Sequence, residues 1–201
     1  MTSITLAEKL LEYIRRKGIV RAKELNRLGI PTIYLTRLVQ EGRIERVNRG
    51  LYRFPNAEIT EHFTLVQAVK KIPNGVVCLL SALSFHEFTT QLPHQIWIAV
   101  ERGKWEAGLR DLPIRIFEFS GKAFNEGIEK HRIEGGTANV YCPEKTVADC
   151  FKYRNKIGLD VAMEALRECR RERRCTNDDL WHYAKICRVA NVMRPYLEAM
   201  A

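Results

Sequence analysis

The sequence predicts an α+β chain in two parts: a small basic head of helices and a hairpin, residues 1–57, and a mixed α/β body, residues 58–201, ending in a helical bundle. Three observations carry that prediction. The first is charge: twelve Lys and Arg against five Glu in the first 57 residues leave +7 of the formal net +9 there, whereas the other 144 residues hold 21 cations against 19 carboxylates. The second is a series of short amphipathic helices, punctuated by glycine, that runs into a basic hairpin. The third is the order in the body, where apolar β-rich runs come first and helical periodicity fills the chain after Pro143.

In the head, Leu6, Leu10 and Ile14 recur at helical spacing beside Leu11. Thr5 or Ser3 can cap that helix, and Gly18 after Arg15-Arg16-Lys17 ends it. Arg21 to Leu28 makes a second short helix closed by Gly29, and Pro31 opens a third that runs to about Glu41 and stops at Gly42. Two short helices joined by a glycine turn form the helix-turn-helix arrangement, whose later helix enters the major groove of duplex DNA. Leu35, Leu38 and Val39 are the inward stripe of that later helix. At 100° per residue Ile33, Thr36, Arg37 and Gln40 fall opposite, with Thr32 and Tyr34 on the flanks. This face offers a guanidinium for guanine, an amide for adenine, hydroxyls, and an apolar group for a thymine methyl. A merely solvated face would more often carry Lys/Glu pairs. Alternating runs on either side of Asn48-Arg49-Gly50 then predict a hairpin bearing Arg46, Arg49 and Arg53. That is the wing of a winged helix, and its arginines are expected on phosphates. Pro55-Asn56 closes the module.

The body begins with a helix near Phe63, Val66 and Val69 that ends at Pro73-Asn74-Gly75. Val76–Leu80, Ile96–Val100 and Ile114–Phe119 read as strands, with a short helix over Ser81–Phe88. His131–Ile133 and Asn139–Tyr141 read as a hairpin around Gly135-Gly136. Helices are expected at about 143–155, 160–174, 177–188 and 191–200. Two of them carry charged faces: Lys145, Asp149, Lys152 and Lys156 on one, and Arg167, Arg170, Arg171 and Arg174 on the other. Glu164, Glu168 and Glu172 interleave with the second set, so pairing within the helix accounts for much of it.

Several functions are disfavoured. The longest apolar stretch, Val76 to Leu83, is far below the roughly 20 residues that span a bilayer, and no export signal is visible. Six scattered cysteines without a Cys-x-x-Cys suggest reduced core thiols in a cytoplasmic protein. The five histidines, including His62, lack metal-ligand spacing, and no phosphate-binding or nucleophile motif occurs. Glu101, Asp111 and Glu118 stand at strand ends, yet no Asp/Glu-x-Lys element follows them. No catalytic residue, metal or cofactor is expected.

The block Ile30-Pro31-Thr32-Ile33-Tyr34-Leu35-Thr36-Arg37-Leu38-Val39-Gln40-Glu41-Gly42, leading into Glu45-Arg46-Val47-Asn48-Arg49-Gly50-Leu51-Tyr52-Arg53, resembles the N-terminal winged helix of AbiEi-type antitoxins. In the body, Leu80–Glu87 and Tyr141–Arg154 are similar to the antitoxin domain of that family. The resemblance implies a two-domain autorepressor of a type IV toxin–antitoxin (abortive infection, phage defence) system. Its head would bind repeated sites in its own promoter, and its body would counteract a nucleotidyltransferase toxin, directly or indirectly. The two charged faces, with Lys145, Asp149, Lys152 and Lys156 first, are then the expected antitoxin surface. Two rivals remain: a stand-alone winged-helix regulator whose body senses a small ligand, and a metal-dependent nucleic-acid enzyme.

Overall fold

A computed structural model describes residues 5–56, 63–91, 93–104, 112–133 and 136–200. Ser3, Ile59, His62, Asp111, Gly135 and the expected domain boundary at 57/58 lie outside the described residues. The chain divides into two compact units, one of residues 1–73 with 132–138 and one of residues 74–131 with 139–201. The helix placed at the start of the body therefore groups with the head.

The first unit opens on α1 (Leu6–Lys17), which a capping box starts. The Thr5 backbone N–H donates to Glu8 Oε2 at 2.8 Å, and the Glu8 N–H donates to Thr5 Oγ1 at 3.2 Å. β1 (Val20–Arg21) follows, then a 3-10 helix over Ala22–Leu28. Gly29, in the left-handed region at φ 65°, turns the chain toward α2 (Ile33–Gln40). β2 (Glu45–Asn48) and β3 (Leu51–Arg53) form the expected hairpin. Its partner β1 makes the sheet three-stranded, in the order β1-β3-β2. A two-residue strand has no periodicity to read, and β1 escaped the sequence for that reason. Leu10, Leu11, Ile14, Val20, Leu25, Ile30, Leu35, Leu38 and Ile44 make the core of this unit, and each helix contributes only its inward stripe. α3 (Phe63–Lys71) completes it.

A five-stranded sheet, in the order β6-β5-β4-β8-β7, is formed by β4 (Val76–Val77), β5 (Ile96–Glu101), β6 (Ile114–Phe119), β7 (Ile128–Ile133) and β8 (Gly136–Tyr141); it belongs to the second unit except for residues 132–138, the end of β7 and the start of β8, which group with the first. β4 pairs antiparallel with β5 and parallel with β8, while β5 and β6 are parallel in unshifted register from Ile96↔Ile114 to Glu101↔Phe119. The strand expected to reach Leu80 ends at Val77, because Leu79 takes φ 49° and starts α4 (Leu79–Phe85). Its apolar run is common to a buried strand and a buried helix, and sequence periodicity does not separate the two. Between β6 and β7 lies the four-residue α5 (Lys122–Asn125). The tail is helical as expected: α6 (Pro143–Lys152), α7 (Arg154–Ile157), α8 (Leu159–Arg171), α9 (Asn177–Ile186) and α10 (Ala190–Ala199). α6 is the centre of this bundle, in contact with α4, α8, α9 and α10. All six cysteines are free thiols, five of them buried and Cys175 half-buried. Among the described residues no helix is long and apolar enough to cross a membrane.

Candidate nucleic-acid interface

α2 has one dry side and one wet side. Leu35 and Leu38 are buried, whereas Thr32, Ile33, Thr36, Arg37 and Gln40 are exposed and Tyr34 is half-buried. Ile33 is 51% exposed, an unusual position for a β-branched apolar side chain and the kind of group that meets a thymine methyl. The Arg37 guanidinium lies 5.8 Å from the Tyr34 ring centroid, so the flanking tyrosine supports the arginine in the middle of the face. The Thr32 hydroxyl makes no capping bond to the helix. All six residues expected to read bases thus share one accessible surface.

The hairpin sorts its three arginines differently. Arg46 and Arg49 are exposed. Arg46 Nε donates to the Asn48 carbonyl at 3.4 Å, and the Arg49 N–H donates to Asn48 Oδ1 at 2.6 Å, which folds the tip on itself. Gly50, at φ 73°, supplies the left-handed turn residue. Lys71 Nζ donates to the Arg49 carbonyl at 2.6 Å and ties the tip to α3. Arg53 is the exception. It sits directly across from Glu45 in the antiparallel register, its Nε lies 2.5 Å from Glu45 Oε1, and its guanidinium stands 4.6 Å from the centroid of Phe63. With only 12% of that side chain exposed, Arg53 is a packing and pairing residue, which corrects its assignment to the phosphate-contacting set. The alternation of the strand put Arg53 beside Arg46 and Arg49 but was blind to what lies beneath it.

In the second unit the larger correction concerns α6. Lys145 and Asp149 are both fully buried, with Lys145 Nζ 2.5 Å from Asp149 Oδ2. The ammonium also lies 4.1 Å from the Tyr141 ring centroid and 5.0 Å from that of Phe119. Cys187 Sγ donates to Asp149 Oδ1 at 3.2 Å. Burial pushes the Asp149 carboxyl up from its usual range and Lys145 pulls against it. This is a closed internal pair and no part of an exposed surface. Lys152 and Lys156, from the same expected face, are exposed. They stand over an aromatic ladder with Arg115 from β6: Lys152 is 5.7 Å from Phe119, and Lys156 and Arg115 are 5.9 and 5.5 Å from Phe117. On α8, Arg171 pairs with Glu168 and Glu172, and Arg170 donates to Asn177 Oδ1. Arg174, just beyond the helix, donates to the His86 carbonyl at 3.3 Å, while Arg167 stays exposed with no such bond among the described residues. The sequence missed Arg115, whose strand is far from α6 in the chain.

Residues 8–55 match the AbiEi antitoxin family of transcriptional regulators. The matched AbiEi segment covers α1 from Glu8, the 3-10 helix, α2 and the whole hairpin, and it stops short of α3 and the second unit. No curated protein matches the chain. Among the described residues there is no group of three His, Cys, Asp or Glu side chains able to hold a metal ion.

Proposed function

We propose that residues 5–56 act as a winged helix-turn-helix that places α2 in the major groove of duplex DNA and lays the β2–β3 hairpin along the backbone. The supporting observation is the wet face of α2. It carries Thr, Arg and Gln side chains and a solvent-facing Ile, lies within the AbiEi-matched segment, and has its arginine backed by Tyr34. Arg37 and Gln40 read base edges by paired hydrogen bonds, and Thr32 and Thr36 reach bases or phosphate. Arg46 and Arg49 neutralise phosphates and set the register without choosing sequence. On this reading the chain represses its own promoter at repeated sites.

The second unit is the antitoxin part, counteracting a nucleotidyltransferase toxin. Its effector surface is the exposed basic cluster of Lys152, Lys156 and Arg115, with Arg167 as a second point of contact. A basic cluster suits a toxin whose active site exposes carboxylates. Footprinting the purified chain on its own upstream region tests the repressor reading. Protected repeats that disappear with Arg37→Ala are expected; absence of any protected site would refute it. Co-expression of the toxin with the Lys152→Glu/Lys156→Glu/Arg115→Glu chain tests the other half, where loss of rescue at matched protein level is expected and full rescue rules the cluster out.

A further inference from the structure

The first unit holds an open cleft of about 970 Å³ that none of the foregoing uses. None of the described residues lining it belongs to α2 or to the β2–β3 hairpin. Its walls bring together the end of α1, the 3-10 helix, α3 and the segment 132–138, and they carry Arg16, Lys17, Arg21, Lys23, Arg27 and Arg132. The 3-10 geometry of three residues per turn sets Glu24 and Arg27 in one row along a wall, with Arg21 at the extended position just before the helix. Glu24 is the one carboxylate among the described lining residues, and it is already engaged. It accepts from Tyr13 Oη at 3.0 Å, from the Arg21 N–H at 3.3 Å and from Lys70 Nζ at 3.5 Å. None of these six cations makes an ion pair with any described residue. Six cations with no carboxylate partner among the described residues, gathered around one concavity, raise the local positive potential and draw polyanionic charge toward it.

Size decides the kind of polyanion. A volume of 970 Å³ is a space about 10 Å across, narrower than a B-DNA duplex, whose major groove alone is roughly 12 Å wide, so a duplex does not sink into it. A single strand does. The cleft also has what a strand needs besides charge: apolar wall from Leu28, Val69 and Pro73, and the half-buried ring of Tyr13, over which Arg16 stands at 5.9 Å. Positive grooves with an aromatic or arginine platform are how single strands are held without sequence preference. We propose that this cleft is a second nucleic-acid site that binds one strand through its phosphates, independently of α2 and of operator recognition. It deals with a different nucleic acid from the one α2 faces, and both can be bound at once.

The test uses the full chain at 0.15 M salt, where charges more than about 8 Å apart are largely screened. The probes are fluorescein-labelled dT12 and a duplex of the upstream region. Wild type should bind dT12 with or without saturating duplex. Arg16→Glu/Arg27→Glu, both at exposed positions, should lose at least tenfold in dT12 affinity and keep duplex affinity within threefold. Arg37→Ala should do the reverse. Arg132→Gln, on another element, gives a second reading should the double variant not fold; a threefold or greater loss on dT12 alone is expected. No binding of dT12, unchanged dT12 affinity in the cleft variants, or displacement of dT12 by the duplex would overturn the proposal. So would displacement by ATP at equal phosphate concentration, which would make the cleft a nucleotide site.

Discussion

α2 and α6 each carry charged and polar side chains three and four residues apart on one helical face, and they use them in opposite ways. On α2, Arg37 and Gln40 face water because the core takes Leu35 and Leu38 and, in part, Tyr34 and Val39. On α6, Lys145 and Asp149 face other protein, because α4, α8, α9 and α10 surround that helix. Helical spacing tells which residues share a face; only the number of packed neighbours tells whether that face is wet. The same side-chain chemistry therefore gives a recognition surface in one unit and a core bolt in the other.

The largest effect is expected at Lys145. Lys145→Ala leaves the Asp149 carboxylate buried with the Cys187 thiol as its remaining described hydrogen-bond donor, and should cost about 3–5 kcal/mol of unfolding free energy. Lys145→Met/Asp149→Leu, which removes both charges, should recover most of that loss. If urea denaturation shows the single variant within 0.5 kcal/mol of wild type, about what an exposed site gives, the pair is not the internal bolt described.

Next in size is Arg53 against its neighbours in the hairpin. Arg53→Ala should cost about 1 kcal/mol of stability through loss of Glu45 and Phe63, with little change in the salt dependence of DNA binding. Arg46→Ala and Arg49→Ala should leave stability alone, and each should flatten the log K against log[salt] slope by about one unit. A flattened slope for Arg53→Ala would return it to the phosphate contacts.

The smallest effect is one of pH. His86 is buried, with Nε2 2.7 Å from the Tyr141 carbonyl and Nδ1 facing the Arg174 guanidinium at 3.4 Å. Burial holds its pKa below the ordinary 6.5, so as pH falls through 6.5 the unfolded chain takes up a proton that the folded chain refuses. Stability should accordingly drop between pH 7.5 and 5.5. His86→Gln, which can still donate to Tyr141, should lose that part of the drop; an identical pH profile in the variant would show that other groups cause it.

Much of the first unit was legible because its signals are local. Thr5, Gly29, Gly42 and the Asn48-Arg49-Gly50 turn mark where elements start and stop, and the stripe of α2 fixes its outward residues without help from the rest of the chain. What stayed hidden depends on partners distant in sequence. Arg53 needed Phe63, β1 needed β3, Arg115 needed α6, and the cations of the cleft come from residues 16 to 132. Leu79 hid for another reason: an apolar run has no period, and its φ of 49° leaves no mark in composition. The helices after Pro143 could be counted from their spacing, but the burial of Lys145 follows only from their assembly.

If α2 is the part that distinguishes one DNA sequence from another, the specificity ratio of Arg37→Ala reveals it. Affinities of wild type and variant would be measured in one buffer for the footprinted duplex and for a shuffled duplex of equal length. The expected result is a loss of about 1–3 kcal/mol on the footprinted duplex, little change on the shuffled one, and an unaltered unfolding midpoint. An equal loss on both duplexes would contradict it, because the arginine would then be touching only phosphate.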